Sequence, residues 1–174
     1  MRSILSRQIG QKEYRKEFEI EVMYKWVLQN YNKDHSGIAS FIHKCTSRIA
    51  VIKAFNEMRL EMVAPGDVII FQDFYNRPED GQFTILSGQC EALQLMPCSR
   101  GLLQLMECQK KRDFDGCKTQ LEQAKRTAVL LPPAGFGEVA TLTNTQLLSS
   151  VCASVKSEDG ALLGNTELLI LPKV

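Results

Sequence analysis

A chain of 174 residues is long enough for one domain with a short appendage and too short for two full domains. Apolar residues make up 44% and charged residues 24%, proportions that let a chain bury a core and exclude wholesale disorder. With 21 Lys and Arg against 20 Asp and Glu the net charge is +1, which excludes the long-range field of a dedicated nucleic-acid binder.

The start of the chain, Met1-Arg2-Ser3-Ile4-Leu5-Ser6-Arg7-Gln8, has no apolar stretch long enough for a secretory signal, and no run approaches the roughly 20 residues that span a bilayer. The expectation is a cytoplasmic protein with no membrane partner. From Lys12 to about Gln29, Tyr14, Phe18, Val22 and Trp26 recur every four positions amid Lys and Glu, which predicts an amphipathic helix with that face packed. A turn-rich break, Asn30 to Gly37, precedes a second helix from Ile38 to about Asn56, with Ile38, Phe41, Ile42, Cys45, Ile49 and Ile52 at helical spacing and Ser36 as its cap.

At Met58 the rhythm changes to the alternation of strands. Leu60 and Met62 alternate with Arg59 and Glu61, Ala64-Pro65-Gly66-Asp67 supplies a turn, and Val68-Ile69-Ile70-Phe71 follows. After a polar loop, Phe83 to Leu86 and Gln89 to Leu95 read as two strands joined by the tight turn Ser87-Gly88. Between Met96 and Thr127 the pattern fails. Leu102, Leu103, Leu105 and Met106 suit a short helix, but Gln109 to Lys118 is highly charged and interrupted by Gly116, so residues 96–127 read as an inserted, mobile, charged excursion, a solvated loop in the first place and a docking patch of basic residues as the alternative. Strand character returns at Thr127–Leu131, Val151–Val155 and Glu167–Leu171. The expected organisation is a helical segment over 1–57 packing on a β-roll over 58–174, with the excursion at about 96–127. The fold class is mainly β with flanking helices, an antiparallel roll or jelly roll.

Chemistry-bearing patterns are few. The six cysteines, Cys45, Cys90, Cys98, Cys108, Cys117 and Cys152, include no C-x-x-C pair, and the two histidines, His35 and His43, sit in no metal-ligand or catalytic spacing. Free thiols, no metal and no enzymatic activity are expected. One segment has a ligand logic: Gly135-Phe136-Gly137-Glu138-Val139-Ala140. Glycines let a ligand approach the backbone, free N–H groups at the start of a helical turn attract phosphate, and a fixed carboxylate accepts hydrogen bonds from sugar hydroxyls.

The order of three motifs gives that segment its setting. Pro65-Gly66-Asp67-Val68-Ile69, then Phe83 to Ala92 through Ser87-Gly88, then Phe136-Gly137-Glu138-Val139-Ala140, resembles the cyclic-nucleotide-binding domain family over roughly Met58 to Lys173. The resemblance implies an eight-stranded β-roll flanked by helices, with Phe136 to about Ser150 as its phosphate-binding cassette. It implies that Glu138 faces the ribose 2′-hydroxyl of cAMP or cGMP, that N–H groups at Gly137, Val139 and Ala140 face the cyclic phosphate, and that Ser150 supplies a ligand-facing hydroxyl. Where the family carries a phosphate-clamping arginine, the chain has Leu147; Lys125, Arg126 and Lys156 are the basic side chains that could replace it. The sequence stops at Leu171-Pro172-Lys173-Val174, before the helices that follow the last strand in ligand-responsive members, so the expectation is either a truncated form or a domain with no ligand-driven switch of the usual type. Two functions follow: a non-enzymatic regulatory domain that binds cAMP or cGMP weakly and signals to a protein partner, or a ligand-independent interaction or scaffold domain in a larger assembly. No cofactor is expected.

Overall fold

A computed structural model describes the protein over residues 15–31, 38–73, 81–138 and 145–172. Its strands form two four-stranded antiparallel sheets. The first has the order β1 (Arg59–Val63), β8 (Thr166–Pro172), β3 (Gly81–Ser87), β6 (Gly135–Phe136). The second has the order β2 (Val68–Ile70), β7 (Ser150–Ala153), β4 (Cys90–Gln94), β5 (Lys125–Leu130). Helices α1 (Glu17–Asn30), α2 (Ile38–Lys44) and α3 (Arg48–Glu57) cover the outside of the first sheet, and α4 (Arg100–Lys111) and α5 (Phe114–Leu121) that of the second. This is the mainly β roll with flanking helices that the sequence leads one to expect.

The closing strand shows how the layers are built. Side chains alternate across a strand, so Leu168 and Ile170 point between the sheets while Leu169 and Leu171 point at the helices. An unbroken apolar run there is the mark of a strand buried on both faces. The same alternation on β7 sends Val151 and Ala153 inward and Cys152 toward α4 and α5. Arg15, just before α1, is buried, and its guanidinium donates to the carbonyls of Phe55, Asn56 (2.9 Å) and Met58 (2.7 Å). A cation thus satisfies the carbonyl end of α3 and ties α1 to it.

Four local expectations are corrected. In α1 the packed face is Ile20, Met23 and Val27, spaced three and four apart, while Phe18 is 64% exposed and Val22 lies half in solvent. The helix carries two apolar faces, and only the sheet beneath it selects one. The helix read from Ile38 to Asn56 breaks at Cys45–Ser47, where the Ser47 hydroxyl accepts the Ala50 N–H at 3.3 Å and starts α3. The proposed cap Ser36 lies outside the described residues. The two strands flanking Ser87-Gly88 do not pair with each other; β3 pairs with β6 and β8, β4 with β5 and β7, so the turn carries the chain from one sheet to the other.

The fourth correction concerns the excursion. Residues 100–111 and 114–121 are helical, and Leu102, Leu105, Cys117 and Leu121 pack on Leu95 and Cys152. Ser99 caps α4 by accepting the Leu102 N–H at 3.2 Å, and Asp113 caps α5 by accepting the Gly116 N–H at 2.9 Å. Gly116, read as a breaker, sits inside α5 because a β-carbon there would meet Asp113 Oδ2 at 2.3 Å and Cys108 Sγ at 2.9 Å. Close approach of two helices, rather than a turn, is what the missing side chain serves.

Candidate functional site

Strand β6 places the upstream end of the cassette segment. Phe136 stands opposite Phe83 in the β3–β6 ladder, and their rings stack with centroids 4.9 Å apart and planes 5° from parallel. Gly137 follows with φ +85°, a left-handed conformation, and a β-carbon there would lie 2.6 Å from the Gly81 carbonyl oxygen and 3.2 Å from the Phe83 ring. The chain therefore turns sharply against β3, and Glu138 follows in helical conformation. The Glu138 side chain is half-buried, and its Oε2 is shut from solvent without a hydrogen-bond partner. A buried, unpartnered carboxylate oxygen is costly and marks a place where a donor from outside would be accommodated. Val139 and Ala140 lie outside the described residues.

The downstream end has the opposite character. Leu147 is 6% exposed and belongs to the apolar cluster between the sheets, with Ile70, Phe83, Phe136 and Val151. Its carbonyl accepts the Asp73 N–H at 2.7 Å. Ser150, which opens β7, is fully buried, and its hydroxyl accepts the Gln72 N–H at 2.9 Å. Gln72 is itself buried and grips the main chain of Leu95, donating to its carbonyl at 3.0 Å and accepting its N–H at 2.8 Å. Sequence reasoning missed this glutamine; a single Gln after a short apolar strand gives no periodic signal, and only the placement of β2 and β4 on either side of β7 shows its role. Of the basic residues that could replace a clamp, Lys125 and Arg126 stand exposed on β5, two strands from β7, with Arg126 4.0 Å from Glu91, and Lys156 is exposed in the β7–β8 connection.

The buried thiols, Cys90, Cys117 and Cys152, belong to the packing of the sheets and helices. All six cysteines are free, and burial pushes the thiols of Cys90 and Cys152 up to about 12 and that of Cys117 to about 11, with the neighbouring Glu91 adding to the shift at Cys90. Such groups stay protonated and unreactive near neutrality. His43 donates from Nε2 to the Tyr31 carbonyl, 2.6 Å away, which fastens α2 to the end of α1. Among the described residues no group of His, Cys, Asp and Glu could hold a metal ion, and no helix is long and apolar enough to cross a membrane.

No family model and no curated protein matches the chain. Solved structures match it in fold. The cAMP-bound PfPKA-R (141–441) aligns with a TM-score of 0.53 at 16% identity, covering 92% of this chain and 41% of that one. The regulatory subunit of a cAMP-independent protein kinase A from Trypanosoma brucei, a mutant bound to cAMP in the A site, aligns with a TM-score of 0.52 at 14% identity over 90% and 41%. The regulatory domain of Toxoplasma gondii PKA with cAMP gives 0.51 at 13% identity over 91% and 43%. At these identities the likeness is one of fold: two sheets with flanking helices are arranged as in these cAMP-bound regulatory structures. The chain spans less than half the length of each of the three structures.

Proposed function

We propose that the chain is a non-enzymatic regulatory domain of the cyclic-nucleotide-binding type that works without cyclic nucleotide at micromolar levels and acts through contact with a protein partner. The observation that carries this reading is Leu147. At the position where the resemblance calls for an arginine, an aliphatic side chain is buried in the interior of the roll. Loss of a charge-assisted partner for a desolvated phosphate removes roughly 2–5 kcal/mol, a thirty-fold to few-thousand-fold fall in affinity. The Ser150 hydroxyl, accepting from Gln72, supplies no positive charge in its place. The Trypanosoma subunit lends support: described as cAMP-independent, it was captured with cAMP as a mutant in which one of the changes is Thr to Arg.

Titration of labelled cAMP and cGMP up to millimolar concentration tests the reading. The native protein is expected to show no saturation below about 1 mM, and Leu147→Arg to tighten binding by at least about tenfold, a gain that Glu138→Ala removes. Native binding at micromolar level would overturn it. A second reading, a weakly cyclic-nucleotide-responsive domain, is favoured by the unpartnered Oε2 of Glu138; micromolar native binding abolished by Glu138→Ala would establish that reading instead.

A further inference from the structure

The two sheets leave four strands at their edges, β1 and β6 on the first, β2 and β5 on the second. An edge strand presents a row of main-chain N–H and C=O groups that invite another strand, and folds block it by shortening, bulging or charging the edge. Three of the four are blocked in these ways. Strand β6 has two residues. Strand β2 has three, and its register against β7 shifts between Val68 and Ile70. Strand β5 carries two adjacent cations, Lys125 and Arg126, and its ladder with β4 is interrupted between Ala92 and Leu93.

Strand β1 has none of these protections. It is five residues long and follows β8 in unbroken register, from Arg59 opposite Ile170 to Val63 opposite Thr166. Among the described residues β8 is the only strand it pairs with, and a cleft of about 360 Å³ lies between it and the residues of β2. Its charges are of opposite sign and two residues apart, so they share one face of the strand. Arg59 Nε lies 3.7 Å from Glu61 Oε2, and the two side chains are 49% and 52% exposed.

An Arg-x-Glu strand is complementary to a copy of itself running the other way. With the two-fold axis at Leu60, Arg59 of each copy stands directly opposite Glu61 of the other. Moving the axis to Arg59 or to Glu61 sets like charges opposite each other, so the charges select a single register. The cations of β5 repel a second copy, whereas the mixed charges of β1 attract one.

We propose that β1 is a homodimerisation edge, at which two copies of the chain pair antiparallel through Arg59, Leu60 and Glu61 and join their first sheets into one of eight strands. The surface uses no residue of the cassette segment, so it stands or falls independently of cyclic-nucleotide binding. Pairing of two short strands buries less than a standard interface, which makes the dimer a weak one, with a Kd of about 10–100 µM.

Sedimentation velocity on the full chain, from about 5 µM to about 500 µM, tests this and should show a reversible monomer–dimer equilibrium. Arg59→Glu and Glu61→Arg each set like charges across the pairing and should weaken association at least about tenfold. Mixed in equal amounts, the two variants should associate with each other to within about threefold of the native affinity, because every cross-strand contact again joins opposite charges. Each variant alike loses the Arg59–Glu61 contact within the chain, so recovery on mixing reports the contact between chains. Both positions are half-exposed, and unfolding curves verify that the variants fold. Phe18→Ser, on the exposed stripe of α1, should leave the dimer unchanged. A monomer at every concentration, variants that self-associate like the native chain, a mixture that fails to associate, or loss of the dimer on Phe18→Ser would each overturn the proposal.

Discussion

The segment between β6 and β7 begins on a carboxylate with an unpartnered buried oxygen and ends on a leucine packed among aliphatic and aromatic side chains, next to a serine whose hydroxyl already accepts a main-chain N–H. The upstream end holds polar capacity that the protein itself does not satisfy. The downstream end is satisfied from within, so its residues belong to the fold. A side chain kept at a cost to stability is a better candidate for function than one whose contacts already account for it. Substitutions at the two ends therefore separate a residue that holds the roll together from one that waits for something else.

The largest effect is expected where the segment leaves β6. Gly137→Val forces a β-branched side chain into a left-handed conformation and against the Gly81 carbonyl, and should lower stability by about 4 kcal/mol in urea unfolding. A loss under about 1 kcal/mol would show that the bend is not held against β3. Next comes Ser150→Ala at the downstream end. It leaves the buried Gln72 N–H without an acceptor and should lower stability by about 2 kcal/mol; no loss would release Ser150 from its structural role and return it to the ligand-facing one. The smallest effect is expected at Glu138. Glu138→Met removes an unpartnered buried oxygen and should leave stability unchanged or raise it by up to about 1 kcal/mol. If Glu138→Met instead cost 2 kcal/mol or more, the carboxylate would be a structural group, and the contrast between the two ends would disappear.

Much of the roll is legible in the residues. Two-residue alternation placed the strands to within a few positions, and the closing apolar run marks a strand covered on both faces. The bend at Phe136-Gly137-Glu138 shows itself because a glycine and an acid at a strand end serve a chemistry that needs both. The helices of the insert were not legible. Their charged stretch Lys110 to Arg112 is the exposed end of α4, and Gly116, a breaker by propensity, is there because Cys108 and Asp113 leave no room for a β-carbon. Nor could the spacing of α1 show which apolar stripe meets the sheet, since Phe18 and Val22 are as regular as Ile20, Met23 and Val27. Leu147 was visible as a departure from a motif, but its place in the interior cluster was not.

By itself the sequence determined the local terms: which segments alternate, where the chain turns, and that an acid follows a glycine where an arginine partner is missing downstream. Tertiary structure alone decided which apolar stripe is buried, that the insert folds as two helices against the second sheet, and that the Ser150 hydroxyl accepts the Gln72 N–H. The reason is physical. Backbone conformation answers to neighbours a few residues away, whereas burial and hydrogen-bond partnership depend on groups such as Gln72 and Ser150 that stand 78 positions apart and meet only when β2 and β7 pair within the second sheet.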